Sequence, residues 1–259
     1  MSPLTIWGML HLPALPGAPN NTKALSEIQD CVNQDAERLV RGGITHLVLE
    51  NLGDWPYFKD GVPRHTATTM TRIALGLINK YPSIDLGVNV LRNDALSALA
   101  IAKAIEPHSR FIRVNVLSFP MITDQGIIEG RAAELLRERK AINADIEIWA
   151  DVNVKHARPL VTHDIVEVAN DTIERGGATR IVLTGSATGA QVPQESLAAI
   201  SRHFPSEMIV IGSGVTIENV TKYVGICGNL IVGTGLKVDG RLSNPIDQKR
   251  VEELVRKVH

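Results

Sequence analysis

Several features that would identify particular classes of protein are scarce in this sequence. It has only two cysteines, Cys31 and Cys227, and their spacing fits no metal-binding or redox motif. We therefore expect two reduced thiols in a cytoplasmic protein, because disulfides are rare in the cytosol. No basic segment precedes the apolar residues at the N-terminus, so a secretory signal is not expected. No apolar run approaches the length of a membrane span, so no integral membrane segment is expected either.

An excess of charge of either sign is also missing. The formal net charge is −1, and no block of like charges occurs along the chain. Nucleic-acid binding depends on clustered basic residues, so small molecules rather than nucleic acid are the expected partners. The chain also lacks HExxH, clustered Cys/His and GxSxG motifs, which leaves zinc hydrolysis and a serine nucleophile without support. Nothing points to haem or a nicotinamide cofactor.

Short apolar runs alternate with segments of helical spacing along the whole chain. The runs are rich in β-branched residues and too short for helices, so we predict strands. The predicted strands are residues 4–10, 45–50, 84–90, 110–116, 145–151, 179–185, 207–213 and 229–235. The first predicted helix has a Ser26–Gln29 capping box and stops at Gly42, and seven more follow: residues 66–80, 94–104, 129–142, 164–175, 194–203 and 216–223, and a segment after Pro245.

This alternation predicts a parallel sheet covered by helices, because parallel strands need a helical crossover between them. The number of strands and the chain length favour a single (β/α)8 TIM barrel over residues 1–259, with an open doubly wound sheet as the alternative. The sequence RGGITHLVLENLG from residue 41 resembles RGGATRIVLTGSA from residue 175, which supports two related half-barrels. The irregular stretch 118–126 is interpreted as an active-site loop.

Polar residues collect where the predicted strands end, which is the reaction face of such barrels. Glu50 and Asp151 are candidate catalytic carboxylates, suited to acid/base chemistry or to holding a divalent cation such as Mg²⁺. Lys155 is a candidate electrostatic group or, if burial lowers its pKa, a Schiff-base nucleophile. The ordinary alternative for each of them is a solvated loop charge or an ion pair that only supports the site.

Residues just below these carboxylates are candidates for substrate binding. They are His11, Asn89, Arg113 and Asn115. A hydrogen-bonded core histidine is the more common role for a residue such as His11. Period-two alternation directs Arg113 and Glu147 into the barrel on neighbouring strands, so we predict that they form a buried ion pair beneath the site.

Three glycine-rich loops follow the last three predicted strands. Glycine lets backbone N–H groups approach an anion closely, and barrels often bind phosphate after strands seven and eight. The candidate phosphate-binding residues are Gly185, Ser186, Gly189, Ser213, Gly214, Gly233 and Thr234. Simple turns are the alternative interpretation, since turns need glycine as well.

The chain resembles the BtpA/SgcQ family in motifs that span nearly its whole length. They are GMLHLPALPG (8–17), ENLGDWPYF (50–58), GVNVLRNDALSALAIA (87–102), FIRVNV (111–116), TDQGIIEGRAAELLRER (123–139), ADVNVKHA (150–157), TGSATG (184–189), GSGVTIENV (212–220) and IVGTGLKVDG (231–240). The resemblance implies a TIM barrel that is expected to be an enzyme. A cyanobacterial member is linked to photosystem I biogenesis, and SgcQ-type relatives belong to sugar utilisation, where a nucleoside triphosphatase activity has been suggested.

Two functions follow as hypotheses. The first is an enzyme that acts on a small phosphorylated metabolite, either a sugar phosphate or a nucleotide. The second is an assembly factor for a membrane complex, which would use a protein or membrane surface such as the aromatic segment 55–58. Both hypotheses are compatible with a homo-oligomer.

Overall fold

Eight parallel strands close into a barrel in a computed structural model that describes residues 4–258. In chain order the strands are β1 Thr5–His11, β2 His46–Glu50, β3 Asp85–Asn89, β4 Ser109–Val114, β5 Met121–Thr123, β6 Gly126–Ile128, β7 Glu147–Val152, β8 Ala157–Pro159, β9 Arg180–Leu183, β10 Ile209–Ile211 and β11 Asn229–Val232. The order around the barrel is β1-β11-β10-β9-β7-β4-β3-β2, closed by parallel pairing of β1 with β2. The predicted TIM barrel is therefore confirmed.

Helices cover the outside of the barrel. They are α1 Leu25–Arg41, α2 Arg64–Lys80, α3 Ala95–Ala104, α4 Ala132–Ala141, α5 Ile165–Glu174, α6 Gln194–His203 and α7 Gln248–Val258. Their apolar stripes pack on the outward strand faces, where Leu39, Leu77 and Ile148 are fully buried. Within residues 4–258, none of these helices has the length and apolar character that a membrane crossing would require.

The helix predicted over residues 216–223 is wrong, since that connection holds only a short 3₁₀ helix, Val220–Tyr223. The side chain of Asn219 explains the difference. Its Oδ1 accepts from the Thr216 N–H at 2.8 Å, and its Nδ2 donates to the Gly214 carbonyl at 2.8 Å. A side chain that bonds the local backbone in this way competes with the helical ladder.

The start of α1 also differs from the prediction. The helix begins at Leu25, and the Glu27 carboxylate accepts from the Ala24 N–H at 2.6 Å. Gln29 donates instead to Asn33 Oδ1, at 3.2 Å. The predicted cap by Ser26 and Gln29 is therefore wrong, and a carboxylate, which suits the positive end of a helix better, takes that place.

The stretch 118–126 is not irregular, because it includes β5 and the start of β6. These strands form an antiparallel hairpin, and β8 pairs on its other side to complete a three-stranded sheet. Met121 and Ile128 turn inward, whereas Ile122 and Ile127 are exposed. The prediction missed these strands because three residues are too few to display an alternation.

An aromatic layer closes the middle of the barrel. Phe111 stacks on Trp149 with ring centroids 3.6 Å apart, and Trp7 meets both rings edge-on. Gly87 makes room for this layer, because a Cβ there would lie 2.3 Å from the Phe111 ring. The layer separates the two ends of the barrel interior, so each end can be described by itself.

The two similar segments that start at residues 41 and 175 occupy equivalent places in the barrel. The first leads from the end of α1 into β2, and the second leads from the end of α5 into β9, four strands further around the barrel. Gly43 and Gly177 in the two turns both have positive φ, 97° and 71°. This correspondence supports two related half-barrels.

Candidate active site

Two connected cavities open at the carboxyl ends of the barrel strands. The larger, about 1310 Å³, is walled by the loops after β1, β2, β3 and β7 and by residues 241–245. The smaller, about 320 Å³, is walled by the glycine-rich loops after β9, β10 and β11. His11, Lys155 and Thr188 line both cavities and so mark their junction.

Glu50 lies at the end of β2 and is almost fully buried. Asn89, at the end of β3, donates from Nδ2 to Glu50 Oε2 at 2.7 Å, and His11 Nε2 lies 3.8 Å from Glu50 Oε1. Burial by itself would raise the pKa of Glu50, but nearby positive charge, chiefly that of Lys155, outweighs it and holds this pKa below its usual value. Burial lowers the pKa of His11 to about 4, so this histidine is neutral at pH 7.

Asp151, at the end of β7, accepts hydrogen bonds from two residues. One is Arg113 on β4, and the other is Asn115, which directly follows β4. Arg113 Nη2 donates to Asp151 Oδ1 at 2.9 Å and its Nε to Oδ2 at 3.3 Å, and Asn115 Nδ2 donates to Oδ2 at 2.7 Å. All of these side chains are buried. Both oxygens of the carboxylate are therefore occupied, which suits Asp151 to orienting Arg113 and Asn115.

The predicted pairing of Arg113 with Glu147 is wrong. Glu147 begins β7 at the opposite end of the barrel, where Arg180 Nε donates to its Oε2 at 3.0 Å. The register of β4 and β7 explains the outcome, because it pairs Glu147 with Phe111 and places Trp149 opposite Arg113. The aromatic layer thus stands between the two charges.

Four buried polar atoms at the carboxyl end of the barrel make no hydrogen bond within residues 4–258. They are His11 Nδ1, Glu50 Oε1, Asn89 Oδ1 and Asn115 Oδ1. The amide orientations are determined by their partners, since the nitrogen of each asparagine must face the carboxylate it bonds. The structure therefore offers three free oxygen acceptors on the adjacent strands β2, β3 and β4.

Lys155 is held inside the site by its backbone. Asn153 adopts a positive φ of 58° directly after β7, and the chain then turns so that Lys155 is buried. Arg92 Nη2 donates to the Lys155 carbonyl at 2.6 Å, and the His156 N–H donates to the Ser186 carbonyl at 3.1 Å. Burial lowers the pKa of Lys155, and the carboxylate of Glu50 opposes this effect.

Some polar groups of the glycine-rich loops are hydrogen-bonded within the protein, and others have no protein partner. The Ser213 hydroxyl accepts from the Gly185 N–H at 2.7 Å and donates to the Ala190 carbonyl at 2.9 Å, so Ser213 and Gly185 hold the loops together. Within the described part of the chain, the N–H groups of Gly214, Val215 and Gly235 have no protein acceptor, and these three residues line the smaller cavity.

Most of the remaining predicted phosphate-binding residues line the smaller cavity. Gly189, Gly233 and Thr234 line the smaller cavity with Gly214, whereas Ser186 is exposed outside it. Gly214 has a φ of +72°, and a Cβ there would lie 2.4 Å from the Ala190 carbonyl oxygen, so glycine is required.

Arg250 is a residue of the smaller cavity that the sequence did not single out. It projects from α7, and its Nε donates to the Gly235 carbonyl at 2.9 Å. Thr188, after β9, is a second such residue. No strand-end pattern applies to Arg250, and only the packing of the last helix on the barrel brings it to the glycine loops.

Metal ligands are few at this end of the barrel. Among residues 4–258, no three His, Cys, Asp or Glu side chains approach one another closely enough to hold an ion. Glu50 Oε1 is the free carboxylate oxygen in the candidate site. A Mg²⁺ ion here would need substrate oxygens for most of its coordination, as is common for this ion.

The closed parallel barrel and its polar carboxyl end define a TIM-barrel protein with an active-site-like mouth. A model of the BtpA family matches residues 3–259, so the chain belongs to the BtpA family, as its motifs predicted. It is 40% identical over 248 residues to the Photosystem I biogenesis protein BtpA of Synechocystis sp., covering 96% of this chain and 85% of that protein. It is 39% identical over 253 residues to an uncharacterized protein of Pyrococcus horikoshii, covering 97% and 94%.

A solved structure with the same fold is the tryptophan synthase alpha chain from Legionella pneumophila. Its TM-score is 0.59 at 11% identity, with 99% of this chain and 92% of that chain covered. At that identity the likeness shows the barrel fold alone.

Proposed function

We propose that this protein is an enzyme that acts on a small sugar phosphate at the carboxyl end of its barrel. The observation that carries the proposal is the set of four buried, unpaired polar atoms at the carboxyl end of the barrel, of which the His11 side chain lines the glycine-rich cavity. An unpaired buried polar group costs about 1–3 kcal/mol. A ligand that pairs several of them recovers that free energy on binding.

The smaller cavity suits the phosphate group. The free N–H groups of Gly214, Val215 and Gly235 supply donors, and the guanidinium of Arg250 supplies a positive charge. Hydrogen bonds from such donors to a charged oxygen contribute about 1.5–3 kcal/mol each. Ser213 and Gly185 then act by holding the loops in place.

The three free oxygen acceptors suit the sugar. Glu50 Oε1, Asn89 Oδ1 and Asn115 Oδ1 can each accept from a hydroxyl group, and sugars carry hydroxyls on successive carbons. Glu50 is also the candidate acid/base group, because its free oxygen lies 3.8 Å from Nε2 of His11, which lines both cavities. Asp151 keeps Arg113 and Asn115 in position, and Lys155 contributes its amine.

Ligand binding to the pure protein tests this proposal. Inorganic phosphate, D-ribose 5-phosphate, D-glucose 6-phosphate and AMP should raise the melting temperature, whereas ribose and glucose should have less effect. A ligand at 100 times its Kd stabilises the protein by about 2.7 kcal/mol. If none of the four phosphorylated compounds raised the melting temperature, the proposal would be abandoned.

A pair of variants on α7 provides a matched control. Arg250→Met should weaken the response to inorganic phosphate, because it removes one positive charge from the smaller cavity. Lys249→Met removes the same charge from an exposed neighbour and should keep the full response. Equal loss in both variants would indicate a general charge effect with no phosphate site.

A second candidate function is an assembly factor, favoured by an exposed aromatic segment at the rim of the mouth. Trp55 and Phe58 are 59% and 57% exposed, and the relative from Synechocystis sp. is named for photosystem I biogenesis. Glu50→Gln separates the two functions. The variant should lose the biological activity of an enzyme, whereas an assembly factor should keep working with this change buried inside the barrel.

A further inference from the structure

Lys155 lies where the two cavities meet, and this position constrains what it contacts. A ligand with its phosphate in the small cavity can extend into the large one only past His11, Lys155 and Thr188. The carbon atoms a few bonds from the phosphate of such a ligand therefore pass Lys155. Lys155 also borders the smaller cavity, together with the glycine-rich loops that supply donors to the phosphate.

The amine of Lys155 is free, in contrast to that of a second buried lysine at the same mouth. Lys237 also lines the large cavity, but its Nζ donates to the Asn244 carbonyl at 2.9 Å and lies 3.7 Å from Asp35 Oδ2. Within residues 4–258, Lys155 Nζ makes neither a hydrogen bond nor an ion pair, although only 9% of the residue is exposed. The backbone is meanwhile fixed by Arg92.

An amine that lines a cavity and has no protein partner is suited to covalent chemistry. Only the neutral amine is a nucleophile, and the lowered pKa of Lys155 increases the neutral fraction at pH 7. A lysine that served only to hold an anion would benefit from full charge. The hydrogen bond from Arg92 to its carbonyl keeps the backbone of Lys155 at the junction, so the amine stays within reach of a bound carbonyl.

We propose that Lys155 forms an imine with an aldehyde or ketone carbon of an open-chain sugar phosphate, an inference that rests on the proposed function. Nζ attacks the carbonyl carbon, a C–N bond forms and the C=O π bond breaks to give a carbinolamine. In this step one proton passes from the nitrogen to the former carbonyl oxygen. The C–O bond then breaks as the C=N bond forms, and the nitrogen gives up its second proton to the same oxygen, which leaves as water. Glu50 carries each proton from nitrogen to oxygen in turn, so that no other reactant is consumed.

Reductive trapping tests the imine directly. The protein is incubated with dihydroxyacetone phosphate or D-ribose 5-phosphate, reduced with sodium borohydride and examined by intact mass and peptide mapping. A stable adduct should appear on the peptide that contains Lys155. Glycerol 3-phosphate, which has no carbonyl group, should give no adduct, and inorganic phosphate should suppress labelling by occupying the small cavity.

Lys237 is the internal control, because its amine is held by Asn244 and Asp35 and should stay unlabelled. Lys155→Arg keeps the positive charge and should lose the adduct while it still responds to inorganic phosphate in the melting experiment. Labelling confined to exposed lysines such as Lys249, with a normal phosphate response, would sink the imine and leave the proposed function standing. Absence of both the adduct and the phosphate response would overturn both.

Discussion

The two ends of the barrel interior differ in how completely their polar groups are paired. At the amino end, Arg180 pairs with Glu147, and Arg110 Nε donates to Asp85 Oδ1 at 2.7 Å. His46 Nδ1 lies 3.2 Å from Asp85 Oδ2, at ion-pair distance but outside hydrogen-bond geometry. Most of these charges also reach solvent. The ion pairs at the amino end of the barrel therefore have a structural role.

At the carboxyl end the groups are more deeply buried and less completely paired. Glu50, Asn89 and Asn115 each keep a free oxygen, and Lys155 keeps a free amine. Burial makes unpaired polar groups costly for folding, so this arrangement is expected where a ligand supplies the missing partners. The two ends therefore differ in how completely their polar groups are paired, since both ends carry charge.

Breaking one buried pair should have the largest effect on stability. Asp151→Asn leaves the guanidinium of Arg113 buried without its partner, and removal of one member of such a pair costs about 3–5 kcal/mol. Glu147→Gln at the amino end should cost no more than about 1 kcal/mol, because that pair is partly exposed. Urea denaturation of both variants measures the difference.

A double variant tests whether the unpaired buried charge, rather than the substitution itself, causes the loss of stability. Arg113→Met combined with Asp151→Asn removes both charges and should recover part of the lost stability, because a buried pair can often be replaced by neutral groups. Equal losses for Asp151→Asn and Glu147→Gln would contradict the difference between the two ends.

The second largest expected effect is a loss of folding stability in acid, which arises at the carboxyl end of the barrel. Burial lowers the pKa of His11 from 6.5 to about 4, so the unfolded chain binds more protons than the folded chain between these values. Stability is then present above pH 6.5 and is lost as the pH falls toward 4, by about 3 kcal/mol in all.

Denaturation at a series of pH values checks this effect. The variant His11→Gln cannot take up the proton, so its stability should vary less between pH 6.5 and 4.5. His203→Gln, at an exposed histidine, is the control and should follow the unchanged protein. An unaltered acid slope in His11→Gln would show that His11 is not a source of the pH dependence.

The sequence predicted the barrel strands well because each is a continuous apolar run buried on its helix-facing side. It also predicted which residues end those strands, so Glu50, Asn89 and Asp151 do lie together with Lys155 at one end of the barrel. Alternation alone reveals the face of a strand and nothing about its register with the next strand. That limit accounts for the wrong pairing of Arg113 with Glu147.

Other features depend on contacts between distant segments. Arg250 reaches the glycine loops only because α7 packs back on the barrel, and the free amine of Lys155 depends on the turn at Asn153. Neither follows from local spacing. The side chain of Asn219, which replaces a predicted helix by a 3₁₀ turn, likewise acts through bonds that a periodic pattern does not reveal.

We expect the carboxyl end of the barrel to bind an anion through its unpaired backbone groups. A crystal of the protein soaked in phosphate would reveal this site. Phosphate density should lie within hydrogen-bond distance of the Gly214, Val215 and Gly235 N–H groups and beside Arg250. Density only at the amino end, near Arg110 and Arg180, or an empty glycine pocket at saturating phosphate would contradict it.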